Sequence, residues 1–352
     1  MKSSNTIQKE NKKLFQMGYK PAAVIVLLCV LAGFIYFTLS WKSETQKAGE
    51  TVIRQAAAQM LNKNPEDLAS TDFNMITQLF LKDEKLSDIR LLKKFTNLKN
   101  LQIVSVYTGQ PASLPKWLLV LEKLHLYKKP EKAYADVSIL KKLPNLETLT
   151  LAGPIVDFKA IKKLKNLKEL NIENITGLDI ESIKELKQLQ KLGLNNVFTP
   201  SLEPIGKLSN LQELRIMNMS VVPAQLKSLN ELVNLKSLTL QRVSGENSVF
   251  ENLGKLKNLQ ELTIEYSVVS YGYGPSPVNL RPLKELTNLR KLKIRNIPYG
   301  GYAMYNYPNG YHTGPNGYPT GFMGYGYSSL SYDILIQLEE LQKALTDLEI
   351  ER

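Results

Sequence analysis

Apolar residues recur along this chain in an L-x-x-L-x-L pattern, with Leu or Ile in the fixed places, from Ile76 onward. Instances start at Ile76, Leu98, Leu121, Leu146, Leu167, Leu189, Leu211, Leu235, Leu259, Leu289 and Leu345, and include "LKNLQI", "LKELNI", "LQELRI" and "LRKLKI". Most starts lie 21 to 25 residues apart. A period near 22 residues predicts a solenoid in which each unit supplies one short parallel strand and a return segment. One unit cannot bury its own leucines, but stacked units form a continuous core. Strands about 4.8 Å apart would give an array about 50 Å long. In each strand the second and third apolar residues point inward and their neighbours face the concave surface. Return segments such as "DIESIKELKQL" have helical apolar spacing and belong on the convex side.

Two spacings are longer, 30 residues from Leu259 to Leu289 and 56 from Leu289 to Leu345. The first excess matches "SYGYGPSP", residues 270–277, and the second matches the stretch 298–332 opening "PYGGYAMYNYPNGYHTG". Both are insertions within repeats, both leave just after a strand, and both are rich in Tyr, Gly and Pro. Equivalent points on stacked units share an edge, so the two insertions are expected side by side as one tyrosine-rich patch.

The N-terminal part follows a different pattern. Residues 22–39, "AAVIVLLCVLAGFIYFTL", are an uninterrupted apolar run long enough to cross a bilayer as a helix. Tyr19 and Lys20 precede it and Trp41 and Lys42 follow, as expected of residues at the headgroup level. Lys2, Lys9, Lys12, Lys13 and Lys20 outnumber the cations just after the run, which keeps the N-terminus cytoplasmic and the repeats outside. A cleaved signal peptide and a buried core helix are the competing readings. The run is long for a signal's apolar region, and no A-x-A-like site follows it. Leu28 before Cys29 is not the small residue of a lipobox. The resulting division is a basic tail (1–20), a signal-anchor helix (21–41), a juxtamembrane helical cap (42–75) and the repeat domain (76–352). Within the cap, a helix is expected from Glu50 to Leu61, a turn at Asn64 and Pro65, and a second short helix starting near Ser70 or Thr71.

Composition adds a charge of +12 and a pI near 9.4 across 352 residues. That balance favours acidic partners such as nucleic acid, anionic lipid or an acidic polymer, or else the lysines keep apolar repeats soluble. The single cysteine allows no internal disulfide and no cysteine-based metal site. Of the two histidines, His125 falls between the inward leucines of its unit, as an exposed concave side chain, and His312 lies in the long insertion. Neither has a nucleophilic cysteine available or a second ligand at metal spacing. The glycines of "GYGYS" do not sit between a strand and a helix, as a phosphate loop requires. The expectation is a protein that is not an enzyme and carries no cofactor or metal.

The repeat resembles the bacterial leucine-rich repeat proteins of the internalin-like, 22-residue class, from Ile76 to Arg352, and "LQKALTDLEIER" is similar to the closing unit of such arrays. The resemblance implies an α/β leucine-rich repeat horseshoe that binds other molecules, with a parallel sheet on the concave face and a helical or irregular convex side. One position departs from that pattern. Where the family usually has a buried Asn after the strand, this chain has Val197, Met219, Val243 and Ile297, and Asn174, Asn196, Asn218 and Asn296 come one residue too early. The turn geometry therefore stays open.

Candidate ligand-binding residues come from two places. On the concave strands, Arg215 stands between inward leucines, and Glu173, Asn195 and Glu265 stand beside them. In and near the insertions, Tyr266, Tyr271, Tyr273, Tyr299, Tyr302, Tyr305, Tyr307 and Tyr311 supply large contact area at low entropy cost. A tolerated disordered insertion is the plainer reading of the tyrosine stretch, and a self-associating aromatic tract is a third. Lys94, Lys142, Lys163, Lys207 and Lys255 form a convex column, read either as a solvated face or as a contact for an anionic polymer. The function expected is protein recognition or adhesion by a membrane-anchored module outside the cytoplasm. The alternative is a structural envelope protein that binds carbohydrate or an anionic polymer. Nucleic acid is not favoured.

Overall fold

The computed structural model describes residues 47–351 except 84–85, 87, 106–134, 154, 176–177, 179, 220–222, 244–248, 267–278 and 296–331. Among the described residues, ten strands form one parallel sheet. They are β1 (Gln78–Asp83), β2 (Asn100–Ser105), β4 (Thr148–Ala152), β6 (Glu169–Ile175), β7 (Lys191–Val197), β8 (Glu213–Met217), β9 (Ser237–Val243), β10 (Glu261–Tyr266), β11 (Lys291–Arg295) and β12 (Glu349–Glu351). Two shorter strands, β3 (Ala135–Asp136) and β5 (Ile155–Val156), pair separately. The molecule is a leucine-rich repeat solenoid. Strand order follows chain order along the whole sheet, so each rung packs only on its sequence neighbours.

The register shows why the leucine pattern specifies this fold. Leu170, Leu192, Leu214, Leu238, Leu262 and Leu292 are aligned from β6 to β11, and all are buried. Ile172, Leu194, Ile216, Leu240, Ile264 and Ile294 form a second buried line two residues on. Each such side chain removed from water contributes about 1.5–3 kcal/mol before entropy. At the entry to each rung, the same carbonyl accepts two backbone N–H groups from the next repeat. Gln190 and Lys191 both donate to Lys168 O, at 2.8 and 3.0 Å.

The unit expected at Leu121 supplies no rung. β2 pairs directly with β4, Leu101 opposite Leu149, and Glu147 N–H reaches Lys99 O at 2.8 Å, so no strand stands between them. The pattern at Leu121 and His125 lie outside the described residues. The period misled because "LEKLHL" has the right letters at the right spacing, while the pairing of its neighbours leaves it no position.

The return segments are tighter than their apolar spacing suggested. Most are 3₁₀ helices, including Val137–Lys142, Phe158–Lys163 and Ile180–Glu185, closed by bonds such as Leu164 N–H to Ile161 O at 2.8 Å. One-turn α-helices occur at Glu203–Gly206, Pro223–Leu226 and Val249–Leu253. A 22-residue unit leaves few residues for the return, and the 3₁₀ form gains about 2.0 Å of rise per residue against 1.5 Å.

The turn after the strand is also settled. Gly153, Asn174, Asn196, Asn218 and Arg242 occupy equivalent positions and all have positive φ, between 49° and 87°. Asn tolerates this left-handed region better than most side chains. Gly153 has a further reason to be glycine, since a Cβ there would lie 2.1 Å from Ser105 O. The left-handed residue turns the next one inward, so Ile175, Val197 and Met219 are buried in the place where Asn was sought.

Both ends of the array are covered. A helix over residues 47–61 buries Ile53, Ala57 and Ala58 against the first repeat. At the other end the helix Tyr332–Ala344 buries Ile334, Leu338 and Leu341. Its Gln337, 1% exposed, accepts the Leu280 N–H at 2.6 Å and donates to Asp333 at 2.7 Å. That bond ties the chain on either side of the long insertion into one repeat. Among the described residues no helix is long and apolar enough to cross a membrane. The run at 22–39 lies outside them.

Candidate functional site

The open face of the sheet, the concave face of the predicted horseshoe, consists of the residues that alternate with the buried leucines. Glu173, Asn195, Met217, Gln241, Glu265 and Arg295 form one continuous row across β6 to β11. Arg215 stands in the parallel row two residues earlier, opposite Gly193. Three predicted residues are thereby brought together, since Glu173, Asn195 and Arg215 occupy three adjacent strands. Glu265 is three strands beyond Asn195, about 14 Å away at ordinary strand spacing.

Polar contacts within the face hold this cluster. Asn218 donates to Asn195 Oδ1 at 2.6 Å, and Asn171 donates to Glu169 at 3.0 Å. Arg215 is ion-paired with Glu213 of its own strand, and Lys191 approaches the same carboxylate at 3.5 Å. Gly193 lies opposite Arg215 in the register. A Cβ there would meet Asn171 Oδ1 at 2.4 Å, so the amide covers the glycine, which is buried. The Arg215 side chain remains solvent-exposed. An acidic group of a partner could pair with its guanidinium.

Toward the C-terminal end the face is charged strand by strand. Glu265 accepts from Gln241 at 3.3 Å and lies 3.9 Å from Arg242, and Glu351 pairs with Lys293 at 2.5 Å and Arg295 at 3.1 Å. Tyr266 ends β10 opposite Val243, where the register shifts. The strands that precede the two tyrosine-rich insertions are neighbours, Glu265 facing Arg295. Tyr271, Tyr273, Tyr299, Tyr302, Tyr305, Tyr307 and Tyr311 lie outside the described residues.

Two features escaped the pattern reading. Phe80 stands in the same row as Arg215 at the N-terminal end of the sheet and is 53% exposed, an apolar contact point. Second, an asparagine ladder runs along the strand-entry edge, not the exit. Asn97, Asn145, Asn166, Asn210, Asn234, Asn258 and Asn288 each donate to a carbonyl of the preceding repeat at 2.7–2.9 Å. The signal was present in "KNL", "PNL", "SNL", "VNL" and "TNL", where Asn immediately precedes the first leucine, with Gln188 as the exception. Beside the first part of this ladder runs a polar groove that includes Lys99, Glu147 and Lys168, with Glu147 bridging the two lysines at 3.2 and 2.7 Å.

Four carboxylates are held below their ordinary pKa range. The causes are hydrogen bonds from Lys63 and the Ala69 N–H to Asp72, from Lys168 and Lys99 to Glu147, from Lys284 to Glu340, and from Lys293 to Glu351. A carboxyl whose folded pKa lies below its unfolded value stabilises the fold above the unfolded value, near 4, and that contribution disappears as pH falls through the folded value. The unfolding midpoint should therefore stay level from pH 7 to 5 and decline below about 4. Glu147→Gln should flatten part of the decline, and a decline of unchanged depth in that variant would contradict the role given to Glu147.

The convex lysine column is not of a single sign. Glu185, Glu231 and Glu285 occupy the same repeat position as Lys94, Lys142, Lys163, Lys207 and Lys255, and Lys207 is paired with Glu231 at 2.9 Å. Only its N-terminal part is uninterrupted.

No protein-family model and no curated protein matches the chain. Among solved structures it is similar to internalin C2 from Listeria monocytogenes, at 21% identity and a TM-score of 0.44, over 69% of this chain and 92% of that one. It is also similar to internalin F of the same bacterium, at 18% identity and a TM-score of 0.34, over 70% and 95% of the two chains. A third likeness is to the plant peptide hormone receptor RGFR1 in complex with RGF2, at 18% identity and a TM-score of 0.38, over 59% and 30%. At these levels of similarity the solenoid assignment rests on the strand register of this chain alone.

Proposed function

We propose that the chain is a binding module, not an enzyme, which recognises a protein partner outside the cytoplasm through the open face of its sheet while residues 22–39 anchor it in the membrane. The observation that carries the reading is the cluster of Glu173, Asn195 and Arg215 on three adjacent strands. It combines an exposed guanidinium, a carboxylate and an amide on a rigid surface, with Phe80 supplying apolar contact further along. Rigid strands present such side chains at low entropic cost to a partner. The apolar length of residues 22–39 and the lysines before it support the anchor and the outward orientation.

The test is capture of surface proteins by the full-length chain in mild detergent, compared with a Glu173→Arg, Asn195→Arg, Arg215→Glu variant and with a version lacking residues 298–332. One protein retained in moderate salt, and at least about tenfold less of it with the triple variant, is the expected outcome. Equal capture by wild type and triple variant, with loss only in the deletion, would move the site to the tyrosine-rich insertion. Capture that vanishes in moderate salt would favour an anionic polymer. Protection of the repeats from protease added to intact cells would overturn the orientation.

A further inference from the structure

Three consecutive return helices end on a lysine pair, Lys93 and Lys94, Lys141 and Lys142, and Lys162 and Lys163, in Arg90–Lys94, Val137–Lys142 and Phe158–Lys163. The helices stack directly, because β2, β4 and β6 are consecutive rungs. In each, the residues flanking the pair are buried: Leu92 and Phe95, Leu140 and Leu143, Ile161 and Leu164. The lysines therefore face away from the core in register, all exposed except Lys94, which is half-buried with its ammonium 5.4 Å from the centre of the Phe73 ring. No carboxylate within ion-pair distance of any of the six is found among the described residues. The patch ends at the next helix, where Glu181 and Glu185 enter.

The position of this patch relative to the anchor gives it meaning. The helix over residues 47–61 begins beside it, since Gly49 packs so closely on Asp88 that a Cβ would lie 2.0 Å from the Asp88 carbonyl oxygen. Asp88 is ion-paired with Arg90, the first residue of the first lysine-bearing helix. Eight residue steps separate Leu39, the end of the apolar run, from Lys47, and they span at most about 28 Å. On the anchor reading the first rung is tethered close to the bilayer, with five exposed lysines that have no carboxylate partner among the described residues within reach of its headgroups.

We propose that this lysine patch docks on anionic lipid headgroups of the membrane that holds the chain, so that the convex side of the first repeats lies on the bilayer and the open sheet face is turned away from it. The proposal rests on the anchor reading above. Clustered lysines near a charged surface bind it cooperatively, and the attraction falls off within a Debye length of about 8–10 Å. A point tether alone would leave the solenoid free to tumble, whereas tether and patch together define its orientation.

The experiment reconstitutes the full-length chain into vesicles of phosphatidylcholine alone or with phosphatidylglycerol. Acylation of lysines by a water-soluble ester is then read residue by residue by mass spectrometry. Flotation with the neutral vesicles after a carbonate wash tests the anchor separately. Labelling of Lys93, Lys141, Lys142, Lys162 and Lys163 should be at least about threefold slower on the anionic vesicles, and the protection should vanish at high salt. Lys207, Lys255 and Lys257 serve as controls and should label equally on both. Equal labelling of the five lysines on both vesicles in a chain that floats would overturn the proposal and leave the anchor standing. Protection only when a soluble poly(glycerol phosphate) is added to neutral vesicles would also overturn it, in favour of a polymer ligand. Flotation that fails on neutral vesicles would overturn the anchor and, with it, docking on the chain's own membrane, even where anionic vesicles protect the lysines.

Discussion

Leu194→Ala is expected to lower the unfolding free energy by about 3–5 kcal/mol. Leu194 is fully buried in β7, near the middle of the sheet, with Ile172 and Ile216 on the rungs to either side. Truncation removes the transfer contribution of the side chain and leaves a cavity that both neighbouring rungs line. A solenoid holds itself together only through nearest-neighbour interfaces, so the defect weakens two of them at once. Denaturant unfolding followed by circular dichroism measures the loss, and Leu194→Met, which conserves volume, should cost less than about 1.5 kcal/mol. A loss below about 1 kcal/mol for the alanine variant would mean that the rungs are not packed as the register indicates.

Phe73→Ala should cost about 3–5 kcal/mol by a different route. Phe73 is 1% exposed, and its ring stands 5.0 Å from that of Phe95. Arg54 of the N-terminal helix lies 5.7 Å from the centre of the same ring, so one side chain joins the cap to the first repeat. Its loss should loosen the cap and uncover the apolar flank of the first rung. A fluorescent dye that binds apolar surface, together with light scattering, should rise in the variant before global unfolding. Phe73→Leu, which keeps most of the volume, separates loss of packing from loss of the cationic contacts. Normal dye binding in the alanine variant would contradict the capping role.

The inward leucines were legible because their spacing is set by a period that every rung obeys. The cluster of Glu173, Asn195 and Arg215 was legible for the same reason, since alternation along a strand determines which side chains are outward. Failures arose wherever pairing, not spacing, decides. "LEKLHL" at Leu121 carries the pattern, yet β2 already has β4 as its neighbour. The asparagines were sought at the family's position after the strand, so the ladder before it was overlooked although seven "NL" pairs displayed it. The cover over Gly193 depends on where the Asn171 side chain leans, and the change along the lysine column, from lysine alone to lysine alternating with glutamate, depends on the individual repeats. Neither follows from periodicity.

The direct pairing of β2 with β4 has a consequence for how such a chain can change. β2 ends at Ser105, thirty residues before β3 begins at Ala135, and the hydrogen-bonded ladder between β2 and β4 keeps its register. Closing a longer loop costs only about 0.6 kcal/mol for each doubling of its length. The two tyrosine-rich stretches of the sequence likewise follow directly on the ends of β10 and β11. Sequence can therefore be added there without lengthening the scaffold, and new surface can be acquired or lost at one edge while the number of rungs and their spacing stay constant.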